Sequence, residues 1–194
     1  MTNQDASAGW DAVADRFAAL RSDVGTDIVL RWSSQLPRGG AVLDIGCGTG
    51  MPISARLADK GFALFGIDPA PRMIAAFRRN LPGAGVACEP AETSSFFGRR
   101  FDGVVAIGVL FLLSEAAQAA VFARVGRVLH PGGHFLFSAP RERCAWEDSL
   151  TGRRSQSLGE TAYGALLGST GLKVVGCHLD RGNNHYFEAV APEG

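Results

Sequence analysis

The stretch VLDIGCGTG, Val42–Gly50, decides the fold of this 194-residue chain. An apolar run that contains one acid leads directly into three glycines at alternate positions. This pattern is typical of a strand that ends in a sharp turn, because glycine adopts positive φ and lets a ligand approach the backbone. We therefore expect a ligand to lie against the turn formed by Gly46, Gly48 and Gly50.

The same stretch argues against a phosphate ligand. A P-loop has the spacing G-x-x-x-x-G-K-[S/T], but Gly46 is followed five residues later by Met51, and no lysine follows. A dinucleotide turn G-x-G-x-x-G would need its third glycine where Met51 stands. Asp44 would also repel a pyrophosphate, whereas it would attract a ligand that carries an ammonium group. The turn therefore favours a partly cationic cofactor.

The motif resembles that of a known family. VLDIGCGTG is similar to the first motif of class I S-adenosylmethionine-dependent methyltransferases, in which an acid two residues before the first glycine precedes G-x-G-x-G. The resemblance implies S-adenosylmethionine as the cofactor and S-adenosylhomocysteine as its product. It implies that Asp44 serves the cofactor's ammonium group, in some members through water. The cofactor's methionine end is expected to pack against Gly46, Cys47, Gly48 and Gly50.

Further cofactor contacts follow from the same resemblance. Asp68 ends the segment GID of the second expected strand, where the family has an acid that binds both ribose hydroxyls. Pro69 and Met73 are then expected near the ribose or the adenine, although Met73 fits equally well in a helix core. Ile107, after the fourth expected strand, joins this set. Arg21 belongs to a segment that resembles the family's N-terminal lid, and it is expected to face the cofactor's carboxylate.

The third motif departs from the family pattern. CEPAETSSF, Cys88–Phe96, resembles a motif in which an aspartate binds the adenine amino group, but Pro90 stands at that position. A shift by two residues would let Glu92 accept from the amino group while the Ala91 amide donates to the ring. The alternative is that Glu92 is a solvated surface residue.

The composition of the chain limits its possible substrates, its compartment and its use of metals. Nineteen basic residues balance nineteen acidic ones, so a nucleic-acid substrate is less favoured than a small molecule. The four cysteines are far apart, which favours core thiols in a reducing cytoplasm over a disulfide framework. No apolar run approaches the ~20 residues of a membrane span. No tight cluster of Asp, His or Cys has metal-ligand spacing, so we expect no metal and no membrane, and the oligomeric state stays open.

Alternating apolar strands and helices predict an α/β fold. Buried strands without polar alternation indicate a parallel sheet, and the segments GLKVVGCHL and HYFEAV predict a closing antiparallel hairpin. We expect a Rossmann-like three-layer sandwich with a seven-stranded, mostly parallel sheet in residues 37–194. Two helices, separated at Gly25, would form an N-terminal lid in residues 1–36 of the same domain. Ser114 is expected to cap a helix that PGG, at 131–133, stops.

The residues that would bind the methyl acceptor form a less typical pattern than those of the cofactor site. In-line displacement at a sulfonium methyl needs alignment more than acid–base help, but a hydroxyl acceptor would require a base. His185 is the first candidate because histidine titrates near neutral pH, and its alternative is an ordinary strand histidine. Residues 141–159 have no strong periodicity and follow the fifth strand, so we expect a substrate-specific loop. The candidate acceptor contacts are Phe111, Trp146, Arg153 and Tyr163.

Three functions stay open on this basis. The leading one is metal-independent methyl transfer from S-adenosylmethionine to a small molecule. The second is an S-adenosylmethionine-binding protein without catalysis. The third, a nicotinamide-dependent reductase, is remote because Tyr163 is followed at the usual lysine spacing by Leu167.

Overall fold

The structure is a computed structural model, and it describes residues 5–194. The helices are α1 (Ala14–Leu20), α2 (Thr26–Ser33), α3 (Ile53–Asp59), α4 (Pro71–Asn80), α5 (Glu115–Val128) and α6 (Glu160–Ser169). The strands are β1 (Ala41–Ile45), β2 (Ala63–Asp68), β3 (Gly85–Cys88), β4 (Phe101–Ala106), β5 (Leu129–Ser138), β6 (Cys144–Glu147), β7 (Arg154–Ser157), β8 (Lys173–Leu179) and β9 (His185–Val190). Within residues 5–194, no helix combines the length and the hydropathy that crossing a membrane requires.

The main sheet confirms the expected topology. Its seven strands lie in the order β3-β2-β1-β4-β5-β9-β8. The first five pair in parallel, and β9 runs antiparallel to both of its neighbours. The carboxyl ends of the parallel strands therefore meet at one edge, which is where ligands bind in open α/β sheets.

Helices cover both faces of this sheet. Leu43 and Ile45 of β1 are fully buried and belong to a core that includes side chains of α5 and α6. Val42 faces the other way, in a core built with α2 and α3. Because successive strand residues point to opposite faces, one strand contributes to both cores. The three-layer arrangement follows from this alternation.

The N-terminal segment contains the two expected helices, which Gly25 separates. Gly25 has a φ of +85°, and a Cβ at this position would lie 2.0 Å from the Tyr186 hydroxyl oxygen. Only glycine fits, because any side chain would collide with the hairpin formed by β8 and β9. The start of α2 is thereby packed directly against the C-terminal hairpin.

The boundary between α5 and β5 differs from the one expected. Residues 131–133 do not stop a helix, because α5 already ends at Val128 and β5 runs through the PGG segment. The pairing with β4 shifts register there, and Gly132 has a φ of +70°. The glycines therefore permit a bulge inside a strand rather than a helix end.

Residues 141–159 form a second, two-stranded sheet instead of an irregular loop. β6 and β7 pair antiparallel, with Trp146 opposite Ser155. Oδ1 of Asp148 closes the tip, since it accepts hydrogen bonds from the amides of Leu150 and Thr151 and from the Thr151 hydroxyl, at 2.8–3.0 Å. The expectation of a loop was wrong because this hairpin is built largely from polar residues, which hide the usual strand pattern.

Candidate functional site

A cavity lies at the carboxyl ends of β1, β2 and β4, covered by the N-terminal segment. Its volume is about 120 Å³. The lining includes many of the residues that we expected to contact a cofactor: Arg21, Gly46, Gly48, Asp68, Pro69, Met73, Ala91, Glu92 and Ile107. We call it the cofactor cavity below. Residues from five separate segments of the chain therefore meet where the sequence motifs predicted a ligand.

The glycine turn forms one wall of the cofactor cavity. Its backbone is held by two hydrogen bonds from the amides of Gly46 and Cys47 to the Ile67 carbonyl, at 2.8 and 3.0 Å. Gly46 has a φ of +69°, and a Cβ there would lie 2.5 Å from Cγ2 of Val109. The turn can approach the loop after β4 this closely only because it lacks a side chain.

Three of the motif residues that we expected to contact the cofactor, Asp44, Cys47 and Gly50, do not line the cofactor cavity. Cys47 is buried, and it packs with Ile74 and Phe77 of α4. Gly50 also faces α4, since a Cβ there would lie 2.9 Å from Cδ2 of Phe77. The structure gives both residues a packing role behind the turn, so the expected contact of Cys47 and Gly50 with the methionine end is not seen in the lining.

Asp44 is buried next to the turn, with 4% of its surface exposed. Its Oδ2 accepts a hydrogen bond of 2.5 Å from the Ser54 hydroxyl. Burial raises the pKa of Asp44 to about 7, although the Ser54 hydrogen bond and the charge of Arg21 act in the opposite direction. A nearby cation would favour its ionised form, so this carboxyl is suited to a positively charged group.

Asp68, unlike Asp44, lines the cofactor cavity itself. Its Oδ2 accepts a hydrogen bond from the Gly48 amide at 3.0 Å, and its Oδ1 accepts one from the Ala70 amide at 2.9 Å. Burial raises its pKa, and these two backbone hydrogen bonds oppose the shift. Each carboxylate oxygen has two lone pairs, so both can accept a further hydrogen bond from a ligand. The backbone thus fixes the carboxylate in one orientation.

The third motif contributes to the cavity through its backbone and through an acid that sequence reasoning missed. Glu89 directly follows β3, as Asp68 ends β2, and it lines the cavity beside Pro90. Its Oε1 accepts a hydrogen bond of 2.5 Å from the Ser94 hydroxyl. The signal was available, because an acid at the carboxyl end of a parallel strand is well placed for a ligand.

Arg124 of α5 holds the same loop from behind. Its Nε donates to the Glu92 carbonyl at 2.8 Å, and its Nη1 donates to the Ser94 carbonyl at 2.7 Å. Two bonds from one rigid guanidinium fix the backbone orientation of the loop. Glu92 and Ala91 therefore sit in the lining on an anchored segment.

The N-terminal segment closes the cavity with aromatic and cationic side chains. Trp10 and Phe17 pack edge to face at a centroid distance of 5.6 Å, and both contact the cluster around Met73. Arg21 lies over the Phe17 ring at 5.5 Å. Burial lowers the pKa of Arg21, and the charge of Asp44 opposes this shift. The segment thus brings one cation towards the buried carboxyl of Asp44.

Two of the expected acceptor contacts and the candidate base meet in a second cavity of about 560 Å³. Phe111 and Trp146 pack there at a centroid distance of 5.3 Å, and His185 lies on the same lining. This aromatic cavity shares no lining residue with the cofactor cavity. A hydrogen bond links the two linings: the Gly108 amide of the cofactor cavity donates to the Ser138 hydroxyl of the aromatic cavity at 2.8 Å.

The other two expected acceptor residues lie elsewhere. Tyr163 is fully buried, and its hydroxyl donates to Gln118 at 3.0 Å and accepts from the Leu158 amide at 3.2 Å. It is a core residue, and it lines neither the cofactor cavity nor the aromatic cavity. Arg153 lines a third cavity, next to Trp10. Within residues 5–194, no group of three or more His, Cys, Asp or Glu side chains is arranged to hold a metal.

Comparisons with known proteins agree with the geometry of the site. Residues 42–133 match the family model described as a methyltransferase domain. A putative methyltransferase, YqeM, of Bacillus subtilis is 33% identical over 66% of this chain and 54% of its own length, so the chain spans about half of that relative. The trans-aconitate 2-methyltransferase of Acidovorax ebreus is 29% identical over 85% of this chain and 69% of its own length.

A solved structure matches almost the whole fold. The CcbJ methyltransferase from Streptomyces caelestis has a TM-score of 0.79 and 18% sequence identity, and the match covers 97% of this chain and 99% of the other. At this identity the match concerns the fold. It extends beyond residues 42–133 to the N-terminal helices and the C-terminal hairpin.

Proposed function

The chain belongs to the class I S-adenosylmethionine-dependent methyltransferases, and from that premise we propose that it transfers the cofactor's methyl group to a small-molecule acceptor. One observation carries the proposal. Asp68 lines the cofactor cavity with both carboxylate oxygens held by backbone amides, directly beside the glycine turn at Gly48. Each oxygen of this oriented carboxylate can accept one more hydrogen bond, which suits two neighbouring ribose hydroxyls.

The remaining cofactor contacts divide between its two ends. Asp44 would stabilise the ammonium group, directly or through a water, and Arg21 would meet the carboxylate. At the other end, Glu92 or Glu89 would accept from the adenine amino group while the Ala91 amide donates to the ring. Pro69, Met73 and Ile107 supply apolar contacts to the ring system. Together these contacts would hold both polar ends of one molecule.

The cofactor supplies an already activated methyl group on a positively charged sulfur. The acceptor's lone pair forms the new bond as the carbon–sulfur bond breaks, and the bonding electrons remain on sulfur. The protein therefore needs mainly to align the acceptor, and alignment of this kind can contribute roughly 7–11 kcal/mol to lowering a barrier. Because the leaving group is activated, the proposed transfer requires no metal. A hydroxyl acceptor would lose its proton to a base, for which His185 is the candidate.

A small-molecule acceptor fits the chain's charge and cavities. The formal net charge is zero, which offers no general attraction to a nucleic-acid backbone. The aromatic cavity of about 560 Å³ has the size of a site for a small molecule. One relative, the trans-aconitate 2-methyltransferase, is named for a small acceptor. These observations support a metabolite-sized substrate rather than a polymer.

Calorimetry tests the cofactor part of the proposal. S-adenosylmethionine, S-adenosylhomocysteine and NAD are titrated separately into the full chain, into Asp68→Ala and into Asp68→Asn. We expect binding of the first two only, and at least a tenfold loss in Asp68→Ala, because hydrogen bonds to a charged group contribute about 1.5–3 kcal/mol each. Asp68→Asn keeps one acceptor oxygen and should lose less. The exposed Asp59→Ala serves as the control.

A second measurement separates an enzyme from a protein that only binds the cofactor. Labelled S-adenosylmethionine is incubated with the chain and a panel of metabolites, and label transfer is followed by mass. Transfer that Asp68→Ala diminishes supports the proposal. NAD binding without affinity for S-adenosylmethionine, or cofactor binding with no transfer to any metabolite, would count against it.

A further inference from the structure

The third cavity lies between the tip of the β6–β7 hairpin and the N-terminal segment. Its volume is about 410 Å³. The hairpin contributes Thr151, Arg153, Arg154 and Ser155, and the opposite wall includes Trp10. Arg153 packs closely against this wall, since a Cβ on Gly9 would lie 3.5 Å from the Arg153 Nε. We call this space the arginine cavity.

The two arginines of this cavity have no ion-pair partner among the described residues, although Glu147 stands opposite Arg154 in the hairpin register. Neither Arg153 nor Arg154 is in an ion pair within residues 5–194. Asp5, on the N-terminal segment, feels the charge of Arg153, but its oxygens accept hydrogen bonds from Ser7 and Gly9. Two guanidinium groups at one cavity therefore remain available to an anion.

Ser155 provides an independent observation. Only 1% of its surface is exposed, and its hydroxyl has no hydrogen-bond partner in the part of the chain that the structure describes. A buried hydroxyl without a partner destabilises a protein, so most buried hydroxyls are hydrogen-bonded. A ligand oxygen in the arginine cavity would accept a hydrogen bond from the Ser155 hydroxyl once a small movement of the wall exposes it.

The arginine cavity also borders the cofactor cavity. Both are lined by Ala8, Trp10 and Leu112. The aromatic cavity, in contrast, shares no lining residue with either of them. A molecule anchored by Arg153 and Arg154 would therefore lie next to the wall of the cofactor cavity, where the methyl group would be transferred.

We propose that the arginine cavity binds an anionic group, a carboxylate or a phosphate, of the methyl acceptor, and that the acceptor is therefore an anionic small molecule. This inference rests on the proposed function. Arg153 and Arg154 are the specificity-determining residues, because a planar guanidinium binds both oxygens of such a group. Ser155 completes the site with one hydroxyl donor.

Binding of simple anions tests this inference without knowledge of the acceptor. Citrate and inorganic phosphate are titrated by calorimetry into the full chain, with and without saturating S-adenosylhomocysteine. The same titrations use Arg153→Ala/Arg154→Ala and Ser155→Ala. The matched control is Arg38→Ala/Arg127→Ala, which removes two exposed arginines far from the cavity in sequence and without partners among the described residues.

We expect one of the two anions to bind at millimolar concentration, also in the presence of S-adenosylhomocysteine. The Arg153/Arg154 variant should lose at least tenfold in affinity, Ser155→Ala a few fold, and the control less than twofold. Citrate alone would indicate a carboxylate site, and phosphate alone a phosphate site. Absence of binding, or equal binding in the variant and its control, would overturn the inference. Failure of S-adenosylhomocysteine to bind would instead remove the proposed function.

Discussion

The Ser54 hydroxyl donates a 2.5 Å hydrogen bond to the Asp44 carboxyl, and both side chains are buried beside the glycine turn. Burial raises the pKa of Asp44 to about 7, and Ser54 only partly offsets this shift. The chain therefore keeps an acid in its core that is costly to ionise without a cation nearby. If Asp44 binds the cofactor's ammonium group as proposed, its charge state links the stability of the fold to cofactor binding.

The first prediction concerns stability in the absence of cofactor. An acid whose pKa rises on folding binds its proton more tightly in the folded state, so its ionisation destabilises the fold as pH increases from about 4 to about 7. A pKa that rises from 3.8 to about 7 on folding corresponds to about 4 kcal/mol of stability at most. Asp44→Asn cannot ionise, so its free energy of unfolding relative to the wild type should increase over this range. Urea unfolding at several pH values measures the difference.

Ser54→Ala gives the matched comparison for this prediction. It removes the hydrogen bond that lowers the pKa of Asp44, so ionisation should become still more costly. The variant should lose more stability than the wild type between pH 5 and about pH 8. A pH-independent difference between Asp44→Asn and the wild type would show that Asp44 titrates normally.

The second prediction is that cofactor affinity depends on the same group. An ionised Asp44 attracts the ammonium group, whereas the protonated form does not. Affinity for S-adenosylhomocysteine should therefore decrease below pH 7, by up to about tenfold per unit, and binding there should release a proton. Calorimetry in buffers of different ionisation enthalpy measures that proton. In Asp44→Asn, affinity should be low and flat across this pH range.

The sequence predicted the cofactor half of the site better than the acceptor half. The turn at Gly46 and the acid Asp68 are local features, since a strand end and its next residues fix their positions. The hairpin with Trp146 and Arg153 was missed as an element because its strands are short and polar. Tyr163 could not be distinguished from a surface residue, because its burial depends on contacts with Gln118 and Phe122, which are distant in sequence.

The third prediction tests His185 as a base. If the acceptor is a hydroxyl, His185→Gln should lower kcat at saturating S-adenosylmethionine by roughly 10²–10⁴-fold, the usual contribution of general acid–base catalysis. His130→Gln is the control, because this histidine is exposed and lies in neither cavity. Normal turnover in His185→Gln would show that His185 is not the base and that water takes the acceptor's proton.

The last prediction concerns the aromatic cavity. Trp146 packs against Phe111 at 5.3 Å on the hairpin side, away from the cofactor cavity, whereas Trp10 lines that cavity. Trp146→Ala should therefore reduce kcat/KM for the acceptor while leaving S-adenosylhomocysteine affinity unchanged. Loss of a buried aromatic contact at a binding hot spot costs ~2 kcal/mol or more, or roughly thirtyfold.

Trp10→Ala supplies the contrast, because it should weaken S-adenosylhomocysteine binding as well. Phe111→Ala should behave like Trp146→Ala, since the two rings form one wall of the same cavity. Calorimetry with S-adenosylhomocysteine and steady-state kinetics on the three variants separate the two sites. If Trp146→Ala and Phe111→Ala both methylate normally, the acceptor does not enter the aromatic cavity. The arginine cavity, which shares the Trp10 wall with the cofactor cavity, would then hold the whole acceptor.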